Sequence, residues 1–389
     1  MKRNNPASRL LPSRIIASIA RTLLGLVFIF SGAVKAIDPL GTVYKIEDYL
    51  KAFGNFFIEL LPLAEVAAWG LIILELLLGV CMVLNVRTKW TSWISLIFYL
   101  VMTPLTLYIA LTNPVSDCGC FGDAILLTNW QTFWKNVVLI TLAIILVALR
   151  KHTRQLWSNW MELLLATLAI IAVVVFMTWT RLHLPIKDFR PYKMGNHLPT
   201  LMEYPEDAEP DVYEYSFVYE KDGVEQTFTL DNYPKGDSTW TFVRSDSKLI
   251  KKGYEPPIHD FEIINAEGED LTWHILESEE PITLVVMYDL AKADKKQMAK
   301  VESLKNNVEQ QYSCDELFNS DEVALNNTFY ILTGSGTDEI INFSLEYPEL
   351  SECVCTCDPV TLKTIVRANP GVIVLQNGVV IDKYNLKNK

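Results

Sequence analysis

For its first 181 residues the chain alternates long apolar runs with short polar breaks; beyond that it turns polar. About 20 apolar residues in a helix cross the hydrocarbon core of a bilayer, with a working range of roughly 17–25. Five runs meet that length or nearly do: residues 21–37, 62–84, 92–111, 133–149 and 163–179. Helices buried in a soluble bundle would carry a polar stripe at helical spacing. These mostly lack one, so the pattern predicts five membrane spans. The first, bracketed by Arg21 and Lys35 and preceded by a basic leader, also fits a signal peptide, but no small-residue cleavage site follows it.

The later pattern is different. Residues 182–255 show little helical periodicity and read as a β-rich connector. Within it, Y-E-Y-S-F-V-Y-E-K-D-G-V-E-Q-T-F-T-L alternates around Asp222-Gly223, a hairpin turn dipeptide. From 256 to 389 strand-like and helical segments alternate. F-E-I-I-N-A-E-G-E-D-L-T-W turns at Glu267-Gly268, and P-I-T-L-V-V-M-Y-D-L leads into a helix over about 293–311. N-T-F-Y-I-L-T-G and a short helix come next, then a helix around 359–368 and a closing hairpin, G-V-I-V-L-Q-N-G-V-V-I-D-K-Y. That order predicts an α/β sandwich. G-S-G at 334–336 is a turn, without the spacing of a phosphate loop. The expected organisation is thus an α-helical membrane domain over 1–160, a fifth transmembrane helix over 161–181, the connector, and an α/β domain over 256–389.

Composition supports two unlike parts: 50% of the 389 residues are hydrophobic, yet the net charge is −12. The negative balance sits mostly in the second part, which excludes nucleic acid as the expected partner and leaves membrane lipid and proteins. Lysine and arginine in short loops set orientation. Lys2, Arg3, Arg9, Arg14 and Arg21 lead; Arg87 and Lys89, then Arg150, Lys151 and Arg154, follow in alternate loops. The intervening loops are poorer: 38–61 sets Lys45 and Lys51 against four acids, and 112–132 has no basic residue. The amino terminus is therefore expected in the cytoplasm, and everything past Arg181 outside. Trp90, Trp130, Trp134 and Trp179 suit interfacial anchors.

This orientation gives the seven cysteines a context. Cys81 lies in a span and reads as a small packing residue. Cys118, Cys120, Cys314, Cys353, Cys355 and Cys357 all fall on the outer side, where disulfides persist. Cys118 and Cys120 sit in N-P-V-S-D-C-G-C-F-G-D, a polar break between two spans, with Gly119 supplying the freedom of a tight turn. A strained, exposed pair favours thiol–disulfide exchange; the alternative is a staple for the loop. A metal is not expected, since no histidine precedes His152 and Asp117 and Asp123 are hard ligands. In S-E-C-V-C-T-C-D-P the three alternating thiols would share one face of an extended segment. With Cys314 they form a structural staple, a second redox centre or a thiolate cluster. Ionisable residues inside spans are costly and functional by default. Glu75, mid-span, and Lys35, at the outer end of the first span beside Asp38, make a candidate proton or quinone site.

R-T-L-L-G-L-V-F-I-F-S-G-A-V-K-A-I-D-P-L-G, then L-E-L-L-L-G-V, then D-C-G-C-F-G-D resemble the DoxX-like superfamily, particularly its MauE branch, over about residues 15–150. The resemblance implies a four-helix membrane protein of the bacterial inner membrane, linked with disulfide formation in extracytoplasmic partners and, for DoxX-type proteins, with quinone. It marks Cys118 and Cys120 as the redox pair and Arg21, Lys35, Asp38 and Glu75 as polar family positions. The fifth helix departs from that pattern. Residues 256–389 resemble a thioredoxin-like fold. There Pro370, in A-N-P-G-V-I-V-L, matches the family's cis proline, while D-L-A-K-A-D stands where C-x-x-C is usual. The expectation is a thiol–disulfide redox protein serving an extracytoplasmic client; the alternative is a non-catalytic scaffold whose thioredoxin-like domain binds a partner.

Overall fold

The computed structural model describes residues 6–115, 118–153, 156–251, 253–293, 295–313 and 328–388. Among the described residues five helices are long and apolar enough to cross a membrane: Pro12–Ile37, Leu61–Val83, Thr88–Thr112, Asn129–His152 and Asn159–His183. They fall in helices α1 (Pro6–Ile37), α4 (Ala64–Val83), α5 (Thr88–Thr112), α6 (Asn129–Leu149) and α7 (Asn159–His183). Two shorter helices, α2 (Pro39–Ala52) and α3 (Asn55–Ile58), separate α1 from α4.

The bundle core is built from Leu24 and Phe28 of α1, Leu78 and Met82 of α4, Tyr99 of α5, and Leu139 and Leu146 of α6. Gly79 lets α1 and α4 touch backbone to backbone: a Cβ there would stand 2.7 Å from the Ile29 nitrogen and 2.9 Å from the Gly25 oxygen. Small residues at a helix crossing have this use in lipid, where van der Waals contact replaces the hydrophobic drive. Side chains such as Ile19, Leu26, Ile97, Leu100 and Val138 point outward, as a lipid-facing surface requires. Helix α7 lies at the edge, held where Met177 packs with Ala36 and Ile72 and where the Thr180 hydroxyl donates to the Ala36 carbonyl at 3.1 Å.

Residues 38–61, expected as a loop, are largely helical. Asp38 caps α2, accepting from the Gly41 N–H at 2.9 Å, and Pro39 occupies the first helical turn. Val43 of α2 packs on Ala64 and Ala68 of α4, so the helix lies against the end of the bundle.

After α7 and the short α8 (Leu198–Met202), strands β1 (Val212–Lys221), β2 (Val224–Thr229) and β3 (Thr241–Lys251) form an antiparallel sheet of order β2-β1-β3. Its first turn is at Asp222-Gly223, as the alternation predicts. Helix α9 (Thr272–Glu277) comes next. Residues 261–273 turn at Glu267-Gly268 as expected, but their pairing is a single bridge between Ile264 and Asp270, flanked by the Asn265–Glu269 and Leu271–Ile263 backbone bonds, and α9 begins directly after it.

Strands β4 (Ile282–Val286), β5 (Phe329–Thr333), β6 (Val354–Thr356), β7 (Gly371–Gln376) and β8 (Val379–Asn385) build a sheet of order β6-β5-β4-β7-β8. Strands β4, β5 and β6 run parallel, while β7 and β8 are antiparallel additions. Helix α10 (Lys295–Ser313) joins β4 to β5. Helices α11 (Thr337–Glu346) and α12 (Pro348–Ser351) precede β6, and α13 (Pro359–Ile365) precedes β7. Both faces are covered, so β4 and β5 are buried throughout. Leu284 and Val286 face α9 and α13, whereas Val285 and Met287 face α10 and α11. Tyr192 and Leu198, which precede the three-stranded sheet, also pack into the first of these cores.

Candidate functional site

The loop between α5 and α6 is pinned at both ends. Thr128 and Gln131 form a capping box at the start of α6, and the Asn129 amide donates to Asn113 Oδ1 at 3.1 Å and to the Val115 carbonyl at 3.0 Å. Between these ends Gly119 and Gly122 adopt left-handed backbone angles, φ +60° and +52°, closed by a Gly122 N–H bond to the Gly119 carbonyl. The turn brings Cys118 Sγ to 3.2 Å from Cys120 Sγ. A disulfide requires about 2.05 Å, so the pair stands roughly 1 Å from bonding distance.

The loop rests on a charged pair inside the bundle. Lys35 Nζ lies 2.9 and 3.1 Å from the two Glu75 oxygens, 2.7 Å from Ser31 Oγ and 2.8 Å from the Cys120 carbonyl. The Ser31 hydroxyl donates to that same carbonyl at 2.8 Å. Lys35 and Glu75 are 5% and 4% exposed, so neither charge has water in place of its partner. One ammonium therefore ties α1, α4 and the cysteine loop together. Arg21 does not join this site. It is 14 residues earlier on α1, about 21 Å away at 1.5 Å per residue, and it donates to the Met82 and Val83 carbonyls at the far end of α4.

The two sulfurs have different neighbours. Tyr49 of α2 hydrogen-bonds Cys118, Lys35 and Glu75 act on Cys120, and the Lys135 charge reaches both sulfurs. Lys135 of α6 sits 4.5 Å over the Phe121 ring, and no carboxylate pairs with it among the described residues. The hydrogen bond from Cys118 and the Lys135 and Lys35 charges hold Cys120 below the ordinary thiol range, against burial. Cys118 is pushed up, first because its hydrogen serves Cys120 and then by burial.

Both cysteines line a cavity of about 360 Å³. That lies within the size range of small-molecule sites, which are largely apolar with a few placed polar groups. Phe28, Phe98, Tyr99, Met102 and Leu139 supply apolar wall, and Lys35 with Glu75 the polar end.

Asp38 serves a further contact. Arg367, from the loop after α13, sends Nε to Asp38 at 2.9 Å and Nη2 to Asp123 at 3.5 Å, with its guanidinium 5.2 Å from the Tyr44 ring. The Tyr44 and Tyr288 hydroxyls are 3.3 Å apart, and Lys363 sits over the Tyr44 ring. Burial pushes the Asp38 carboxyl up, but Arg367, Arg190 and the Gly41 N–H outweigh it and hold it below the usual range. The α/β domain thus docks on α2 and on the cysteine loop.

The remaining cysteines lie apart from this site. Cys353 precedes β6 and packs in the core beneath α10, whereas Cys355 and Cys357 pack in the opposite core. The shared face expected for the three fails because extended structure begins only at Val354. All three are buried, and burial pushes the Cys355 and Cys357 thiols up to about 12. Cys314 lies outside the described residues. Pro370 follows a cis peptide immediately before β7. The segment D-L-A-K-A-D at 289–294, after β4, contains no cysteine. Among the described residues no His, Cys, Asp and Glu cluster is arranged to hold a metal.

Sequence reading missed Ser31, Tyr49, Lys135 and Arg367. Lys135 carried a signal, a lysine inside a predicted span; the others become visible only when distant segments meet.

No curated protein and no solved structure matches the chain. Residues 213–252, the three-stranded sheet, match a family model described only as a domain of unknown function (DUF8463). Residues 13–149, the helices that carry the cysteine loop and the Lys35–Glu75 pair, match the family model described as methylamine utilisation protein MauE.

Proposed function

We propose that this is a membrane thiol–disulfide redox protein that passes electrons between extracytoplasmic protein dithiols and a lipid-soluble quinone through Cys118 and Cys120. The observation that carries the reading is the placement of that pair, 3.2 Å apart, on a cavity walled by membrane helices. A thiol pair in a loop outside the bilayer meets aqueous dithiols; an apolar cavity reaching into the bundle suits a lipid-soluble acceptor. Lys35 and Glu75 supply hydrogen-bonding groups and a proton route at the polar end. The alternating Lys/Arg loops favour an inner-membrane protein with its α/β domain outside.

The α/β domain is read as a degenerate thioredoxin-like module. The order β5-β4-β7-β8, with the first pair parallel and the last antiparallel, and the place of Pro370 directly before β7 support that reading. With no thiol at 289–292 and with Cys353, Cys355 and Cys357 buried, this domain binds and does not exchange. Such a division favours scaffolding for the domain and chemistry for the loop.

The test is oxidation of a reduced protein dithiol by the full chain in quinone-containing vesicles. Loss of turnover in Cys118→Ser and Cys120→Ser, with folding intact, supports the proposal. Undiminished turnover in both variants removes the pair from the chemistry.

A further inference from the structure

We propose that Lys35 and Ser31 are positioning residues of the cysteine turn: by holding the Cys120 carbonyl they keep the two sulfurs close to bonding distance, and so set how readily the pair closes into a disulfide. This rests on the exchange reading given above and adds the residues that tune it.

A C-x-C pair does not hold itself in place. Extended chain sets Cα atoms two residues apart at roughly 6.6 Å, near the outer limit of about 6.8 Å for a disulfide. A tighter turn is needed, and confining a loop to one turn costs conformational entropy. Here Gly119 makes the turn, at φ +60°. Among the described residues its backbone bonds, from the Gly122 N–H to Gly119 and from the Ala124 N–H to Phe121, are internal to the loop. They shape the turn without fixing it to the bundle.

The Cys120 carbonyl makes that link. Among the described residues no backbone N–H reaches it. Lys35 Nζ and Ser31 Oγ donate to it instead, each at 2.8 Å. They stand one helical turn apart on α1, so a single rigid element delivers both donors. Lys35 is itself fixed from the α4 side by both Glu75 oxygens. Holding this carbonyl fixes the peptide plane next to the carbon that bears the Cys120 side chain. Neighbouring contacts limit the rest of the turn. The Phe121 ring meets Phe30 edge-on with centroids 5.2 Å apart, and a Cβ on Gly119 would stand 3.2 Å from the Lys45 stem. The sulfurs are thereby left 3.2 Å apart. Groups already held near their reacting geometry form a bond without the entropy cost of gathering them.

Closure can be balanced against glutathione. The two thiols give two electrons to glutathione disulfide. The Cys118–Cys120 bond forms, the glutathione S–S bond breaks, and the two thiol protons pass to the two glutathione thiols released.

The experiment equilibrates the full chain in vesicles with buffers of stepped glutathione to glutathione disulfide ratio. After an acid quench and alkylation, mass spectrometry reads the oxidised fraction of the pair and hence its equilibrium constant. Ser31→Ala removes one donor and should lower that constant about ten-fold, a shift of about 30 mV for a two-electron couple. Lys35→Met/Glu75→Leu removes the ammonium without stranding the carboxylate and should lower it at least as far. Ser31→Thr keeps the hydroxyl and should stay within about threefold of the parent. Thr180→Ala cuts a bond to the Ala36 carbonyl at the same end of α1, away from the cavity wall, and should leave the constant unmoved. A constant unchanged or raised in Ser31→Ala and in the double variant overturns the positioning role while leaving exchange intact. An equal fall in Thr180→Ala, or in Ser31→Thr, reports general loosening of the helix end and overturns it too. A parent chain that forms no Cys118–Cys120 disulfide at any ratio overturns the exchange reading itself.

Discussion

Replacing Arg367 with Met should release the α/β domain from the cysteine loop without unfolding either part. Arg367 is 8% exposed and pairs with Asp38, whose side chain is 17% exposed, and with Asp123, whose side chain is 36% exposed. Removing one member of a buried ion pair typically costs about 3–5 kcal/mol, because the abandoned charge stays buried. Asp123 has water available and contributes little of that. The lower end of the range, about 3 kcal/mol, is therefore the expected loss. At 1.4 kcal/mol per factor of ten it raises the opening constant by about two powers of ten. Hydrogen exchange followed by mass spectrometry reads this directly, since local opening sets local protection. Amides around 366–371 and in the first turn of α2 should lose about a hundred-fold in protection. Those of β4 and β5, buried between two cores, should not change. Adding Asp38→Asn to Arg367→Met should recover part of the loss. If all amides lose protection together, or the interface amides change less than about threefold, the contact is not the clamp between domains.

Lys35→Met strands the Glu75 carboxylate inside the bundle and should cost about 3–5 kcal/mol in denaturant unfolding, with most of it regained in Lys35→Met/Glu75→Leu. Gly79→Leu forces a side chain against the α1 backbone, so the bundle should lose at least about 1–3 kcal/mol, read as a lower midpoint in the same titration. Burial and Arg190 bring Lys383 down to about 8 despite Asp188, so the folded chain binds fewer protons there than the unfolded one. Stability should therefore rise as pH climbs from about 8 toward 10, and thermal unfolding of Lys383→Met should lack that slope.

The spans and the Lys35–Glu75 pair were legible because lipid leaves few choices: a long apolar run must cross, and a charge within it must find a partner. Helix α2 was not read, although Asp38 and Pro39 carried its start, because its mixed polarity resembles a loop when nothing shows what Val43 packs against. The placement of Cys353 depends on where β6 begins, and that is set by pairing of Val354 with Ile331 on β5. No local pattern contains that register. Arg367 lay in a segment read only as helix, and its partner Asp38 is 329 residues away in the chain.

These separations bear on how the site is built. Several cations at this end of the bundle are answered from a different segment: Lys35 by Glu75, Arg367 by Asp38 and Asp123, and Lys383 by Asp188, which Arg190 also holds. A pair of opposite charges on separate elements fixes their relative position, since parting them strands both. The cysteine loop lies among these pairs and is held by two of them, through the Cys120 carbonyl on Lys35 and through Asp123 on Arg367. Lys135 is different: its ammonium sits 4.5 Å over the Phe121 ring, its charge reaches both loop sulfurs, and among the described residues it forms no ion pair. A cation near two thiols stabilises whichever becomes the thiolate.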